Sequence, residues 1–177
     1  MKRRRFVQSI PLLYASPALF AQAIAKIDSV ATDAVGKSVP HFFTASQMAA
    51  LRRLSNILVP TSADTPGALD AGAPEFLDFL IGQSPQPVRT LYRSGLDALN
   101  AGAAAKYGRA FAALDSTQAD MLLSPLREAW TWREPTDPFA LFLRHAKADV
   151  LTATTNSREW AAAAKRSGNG TYWLPPE

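Results

Sequence analysis

The feature that most limits how this chain can fold is the spacing of its apolar residues after position 42. They recur at helical intervals, and prolines and glycines cut the pattern into lengths of one to six turns. Thr44, with Gln47 three residues on, has the form of a capping box, and Phe43 before it is placed to staple the first turn. Met48, Leu51, Leu54, Ser55 and Leu58 then share one face until Pro60 ends the segment. The stretch from Thr61 to Ala73 contains Pro66-Gly67 and is too rich in small residues for a long helix. Pro74 suits the start of a second helix, to which Phe76, Leu77, Phe79 and Leu80 give a wide apolar face. Phe76 and Leu77 are read as core.

A third helix is expected from Gln86 or Pro87 to about Ala105, with Val88, Leu91, Tyr92, Leu96 and Leu99 in register. A turn at Lys106-Tyr107-Gly108 leads to Phe111 and Leu114. Ser116 is expected to cap a fourth helix with Ala119, Leu122, Leu123 and Leu126 inward. Asp137-Pro138 opens another, striped by Phe139, Phe142, Leu143, Ala146 and Val150, and a short one follows from Ser157 to Lys165. Sustained period-two alternation is missing, and only Val150 to Thr155 is ambiguous between strand and helix. The expected class is all-α: a small irregular bundle of about five helices with one long ordered loop.

The N-terminus follows a different logic. Met1-Lys2-Arg3-Arg4-Arg5-Phe6-Val7 is followed by a short apolar middle interrupted by Gln8, Ser9, Pro11, Ser16 and Pro17, then by Ala21-Gln22-Ala23. A basic start, an apolar middle and a small-x-small end are the parts of a signal peptide. Two arginines, a further residue and Phe6 fit a twin-arginine signal, although Lys2 and Gln8 depart from the usual flanks; an ordinary secretory signal with an extra arginine is the alternative. Arg3, Arg4 and Phe6 are assigned to export. Ala21 and Ala23 are assigned to cleavage, after Ala23 or after Ala25. The expected organisation is a signal peptide at 1–23, a flexible linker at 24–41 and a helical domain at 42–177. Proteins on this route cross the membrane folded, so the chain is expected in the periplasm.

The formal charge of +4 belongs to that leader. Lys2 and Arg3 to Arg5 hold four of the 19 cations, which leaves 15 against 15 acids from Ile24 onward. A neutral body with scattered basic residues lacks the footprint of a nucleic-acid binder. Cysteine is absent. Disulfides, thiolate metal sites, iron–sulfur clusters and covalent c-type haem are thereby excluded for this chain.

The acid–base inventory is sparse. His41 and His145 stand far apart without a His or acid at ligand spacing, and both are read as structural. Carboxylate pairs reduce to Glu75-Asp78, at a helix start where acids suit the dipole, and Glu134-Asp137, beside a loop. The glycines at 67/72 and 168/170 do not make a dinucleotide turn. No catalytic, cofactor or metal residues are assigned. Trp130, Trp132, Trp160, Tyr172 and Trp173 crowd the last 50 residues. Two readings of them stand: interface anchors, or gap-fillers of a small bundle.

Several segments together resemble the gluconate 2-dehydrogenase subunit 3 family. They are Phe42-Phe43-Thr44 leading into Leu51, Leu54 and Ile57 and ending at Val59-Pro60; the run from Asp64 to Asp78, with its Pro-Gly-Ala, Ala-Gly and Pro; Leu91 to Leu99; and Phe111 to Leu114 before a Ser-Thr-Gln helix start. The C-terminus departs from the family, keeping only Asn169-Gly170-Thr171-Tyr172-Trp173-Leu174-Pro175. The resemblance implies a non-catalytic small subunit. Its partners would be a large FAD-bearing chain of the glucose-methanol-choline oxidoreductase type, a multi-haem cytochrome c and, during export, the twin-arginine translocase. FAD and haem c would then sit in partners and not here. Partner-contact candidates are Pro66, Gly67, Gly72 and Pro74 in the loop, with Trp160, Tyr172, Trp173 and Pro175 further on. Two alternatives remain: a free-standing periplasmic helical binder of a small ligand, and a small hydrolase or isomerase using His41 or His145.

Overall fold

A computed structural model describes residues 41–129 and 131–166. The leader residues Arg3, Arg4, Phe6, Ala21 and Ala23, nearly all of the linker, Trp130, and the tail with Tyr172, Trp173 and Pro175 lie outside the described residues.

Among the described residues six α-helices follow one another: α1 (Ala45–Leu58), α2 (Ala73–Gln83), α3 (Gln86–Tyr107), α4 (Ser116–Leu122), α5 (Pro138–Thr155) and α6 (Arg158–Arg166). Short 3-10 turns occupy Phe111–Ala113 and Ser124–Arg127. No strand occurs among the described residues, and Val150 to Thr155 is helical. The all-α class holds.

The caps explain most of the boundaries. Thr44 and Gln47 complete the capping box of α1. α3 runs to Tyr107, two residues beyond the expected end, and stops at Gly108, whose φ of 66° places it in the left-handed region. The cap of α4 is Asp115, one residue before the expected Ser116. Its carboxylate accepts from Gln118 N–H at 2.8 Å, and the Gln118 side chain accepts in return from Asp115 N–H. A carboxylate is the stronger acceptor for the positive end of a helix. Pro125 opens the 3-10 turn at Ser124–Arg127, so Leu126 does not continue α4.

The core forms where α1, α2, α3 and α5 converge. Leu51, Leu54, Leu77, Leu96, Leu143 and Val150 are fully buried there. A train of rings crosses it: Phe43 lies 6.3 Å from Tyr92, and Tyr92 meets Phe142 edge-on at 5.5 Å. Gly95 lets α3 and α5 approach, because a Cβ there would lie inside the Phe142 ring's contact shell. Thr154 is buried as well, and its hydroxyl donates to Val150 O at 2.7 Å, which satisfies it within α5.

Candidate functional site

The loop from Val59 to Gly72 carries Pro66, Gly67 and Gly72, three of the residues singled out in the sequence, and it is built to be stiff. Ala68 N–H donates to Val59 O at 2.8 Å and closes its base. Asp70 works as the internal brace. Its Oδ2 accepts from the Thr61 hydroxyl at 2.5 Å and from Gly67 N–H at 2.9 Å. Those two donors, the hydroxyl first, hold the Asp70 carboxyl below its ordinary pKa. Gly67 is buried, and a Cβ there would come within 2.5 Å of Thr61 N. Gly72, with φ 63°, turns the chain into α2, and Pro74 follows in the first turn.

A second brace fixes where the domain begins. Asp78 is buried on α2, and its Oδ1 accepts from Phe42 N–H at 2.9 Å and Phe43 N–H at 2.8 Å. His41 Nδ1 lies 2.8 Å from Oδ2. Arg93 of α3 donates to Phe42 O at 2.9 Å, and its guanidinium stacks 4.0 Å from the Phe42 ring centroid. Residues 41–43 are therefore clamped onto α2 and α3 before α1 starts.

α2 itself is apolar on two sides. Leu77 and Ile81 point inward, as Asp78 does. Phe76, Phe79 and Leu80 stand outward and keep 51%, 54% and 41% of their surface exposed, with Leu69 at 44% in the preceding turn. The core assignment thus holds for Leu77 and fails for Phe76. The inward arc of α2 is already filled by Ala73, Pro74, Leu77, Asp78 and Ile81, and 100° per residue carries position 76 to the opposite side. The Glu75–Arg52 ion pair borders this outer face.

The chain matches the model of the gluconate 2-dehydrogenase subunit 3 family over residues 45–169. It belongs to that family. No curated protein and no solved structure matches it. The family name makes the chain a subunit of a dehydrogenase assembly, so the relevant surfaces of this subunit 3 protein are those that can meet another chain.

Pro66, Gly67, Gly72 and Pro74 lie together in the loop and first turn of α2. Pro74 is fully buried, and Gly67 is buried too, so both shape the loop without offering contact area. Trp160 sits apart on α6, half-buried, with its backbone N–H donating to Ser157 Oγ at 3.1 Å. Both histidines have an acidic neighbour in space that sequence spacing concealed. His41 meets Asp78, and His145 Nε2 lies 3.9 Å from Glu134 Oε1. Glu75 and Asp78 do not act as a pair, because one faces Arg52 at the surface and the other is buried. No group of three or more His, Asp or Glu gathers among the described residues.

Two clefts open at the surface. One of about 540 Å³ lies between the loop and α6, walled by Thr61, Thr65, Asp70 and Arg158. Another of about 460 Å³ is walled by Leu126, Arg133, Pro135, Arg144 and Lys147. Neither wall contains a buried residue. Both clefts are open to solvent among the described residues, whereas a drug-sized ligand is held with most of its surface enclosed. No helix among the described residues is long and apolar enough to cross a membrane.

Proposed function

We propose that this chain is the non-catalytic small subunit of a periplasmic flavin-dependent dehydrogenase acting on gluconate, glucose or a polyol. In this reading it supplies the twin-arginine signal and helps the FAD-bearing large subunit to mature and stay folded. A multi-haem cytochrome c subunit takes the electrons onward. The observation that carries the reading is the family match over residues 45–169. The leader of Arg3-Arg4-Arg5-Phe6 supports the export role, and the stiff loop and apolar outer face of α2 support the role of a protein that binds proteins.

The test is to produce the large flavoprotein subunit with and without this chain, then measure dehydrogenase activity and flavin content in the periplasm. Activity and flavin in the periplasm are expected only when both chains are present. A large subunit exported and fully active alone would refute the reading.

A further inference from the structure

Every exposed apolar side chain of α2 falls on one side of the helix, at spacing i, i+3 and i+4 from Phe76, with Leu69 in the turn before it. We infer that this outer face of α2 is the docking surface for the flavin-bearing large subunit, an inference that rests on the reading just proposed. Three occupants compete for such a face, and charge, area and stiffness decide between them.

A lipid surface is disfavoured by charge. Ala73–Gln83 has no Lys or Arg, and its one exposed charge is the acid Glu75, since Asp78 is buried, whereas helices that lie in a membrane interface carry basic residues along the polar side. A second copy of this chain is disfavoured by area. The exposed parts of Leu69, Phe76, Phe79 and Leu80 amount to roughly 350 Å², under half of the ~800 Å² that each side of a stable interface contributes. An 11-residue helix is only about 16 Å long, so two copies crossing at α2 would add little more.

The same patch suits the apolar centre of a larger contact with an unlike partner. Its two phenylalanines are the residue type enriched at interface centres, and the Glu75–Arg52 pair and Gln83 supply a polar rim. Stiffness points the same way. Asp78 locks the inner side of α2 to residues 41–43, and the Asp70 brace holds the loop that leads in. A face held in place before binding loses little entropy on docking. The partner surface that fits is an uncharged apolar groove able to receive two aromatic rings.

The chain has no cysteine, so Phe79→Cys in the full-length chain introduces its only thiol. Reaction with a maleimide–polyethylene glycol reagent, read as a mobility shift of the small chain, reports access to that position. Phe79→Cys is expected to react readily in the free subunit and at least tenfold more slowly once the flavin-bearing subunit is bound. Leu151→Cys, at an exposed position of α5, is the reference and should react alike in both. In parallel, a Phe76→Ser/Phe79→Ser variant should keep the wild-type melting temperature yet lose co-elution of flavin absorbance. Equal labelling of Phe79→Cys in the free and bound states overturns the docking face. Slow labelling in the free chain also overturns it, because a second copy or another segment of this chain then covers α2. A wild-type chain that brings down no flavoprotein overturns the accessory-subunit reading itself, and the docking face with it.

Discussion

Two glycines of α3 should answer the same substitution in opposite ways, because what surrounds each of them differs. At Gly102 a new Cβ would rest 3.6 Å from Leu122 Cδ2, an ordinary contact. Gly102→Ala should therefore gain about 0.5–1 kcal/mol from helix propensity. At Gly95 the Cβ would collide with the Phe142 ring, which is fully buried between α3 and α5. Overpacking of that kind costs up to about 3 kcal/mol and outweighs the propensity gain. Gly95→Ala should lose about 2 kcal/mol net. Urea unfolding of the two variants checks both signs at once.

Tyr92 adds a pH dependence at the same scale. Its ring is fully buried, and its hydroxyl donates to Asp149 Oδ2 at 2.5 Å. Burial first, then the hydrogen bond and the negative charge of Asp149, push the phenol pKa far above its ordinary value. The folded chain then holds a proton that the unfolded chain releases near pH 10. Stability from this group is complete below that pH and falls as pH rises through and beyond it. Tyr92→Phe should be about 1–2 kcal/mol less stable at neutral pH. The difference between wild type and variant should shrink above about pH 10. Thermal melts of both proteins from pH 7 to 11 measure it; a constant difference across that range would show that the phenol does not titrate as argued.

At the scale of elements, the sequence was most legible where a pattern is local. The capping box at Thr44, the stop at Pro60 and the stripe from Phe139 to Val150 each need only neighbouring residues, and all three stand in the fold. Partners distant along the chain were not legible. Asp78 looks like a helix-start acid, and only the fold brings Phe42 and Phe43 N–H to it across 36 and 35 residues. The outer face of α2 was misread for a related reason. Four apolar residues within five positions wrap around more of a helix than one core contact can cover. The loop shows what could have been anticipated, since Pro66-Gly67 and Asp70 signal a turn, though the brace between them depends on Thr61.

That brace makes a prediction of its own. Gly67→Ala meets backbone at Thr61, which no side-chain rotation relieves, so the loop must open and Gly67 N–H must leave Asp70. The loss should be about 1–3 kcal/mol, with faster proteolytic nicking between residues 60 and 72 than in wild type. Asp70 gives the loop an acid limit: its lowered pKa means the brace is complete above the ordinary carboxylate range and weakens as pH falls through the lower folded value.

For the whole molecule, the division of charge fits the two tasks proposed above. The body from Ile24 onward balances 15 cations with 15 acids, and the excess of four sits in the leader. A neutral body with an apolar patch is suited to contact with another protein, while on the export role proposed above the arginines would serve a separate recognition event. If the leader works for two chains, changing it should move two chains. An Arg3→Lys/Arg4→Lys variant keeps the leader's charge and removes only the guanidinium groups, whose fixed planar donors an ammonium does not reproduce. The expected outcome is that both this subunit and its flavin-bearing partner stay in the cytoplasm, still bound to one another and with flavin in place. Fractionation followed by immunoblotting of both chains measures it. Retention of this chain alone, with the flavoprotein still reaching the periplasm, would separate the export signal from the escort role. Normal export of both would remove the twin-arginine assignment and leave the α2 face as the stronger indication of what the subunit does.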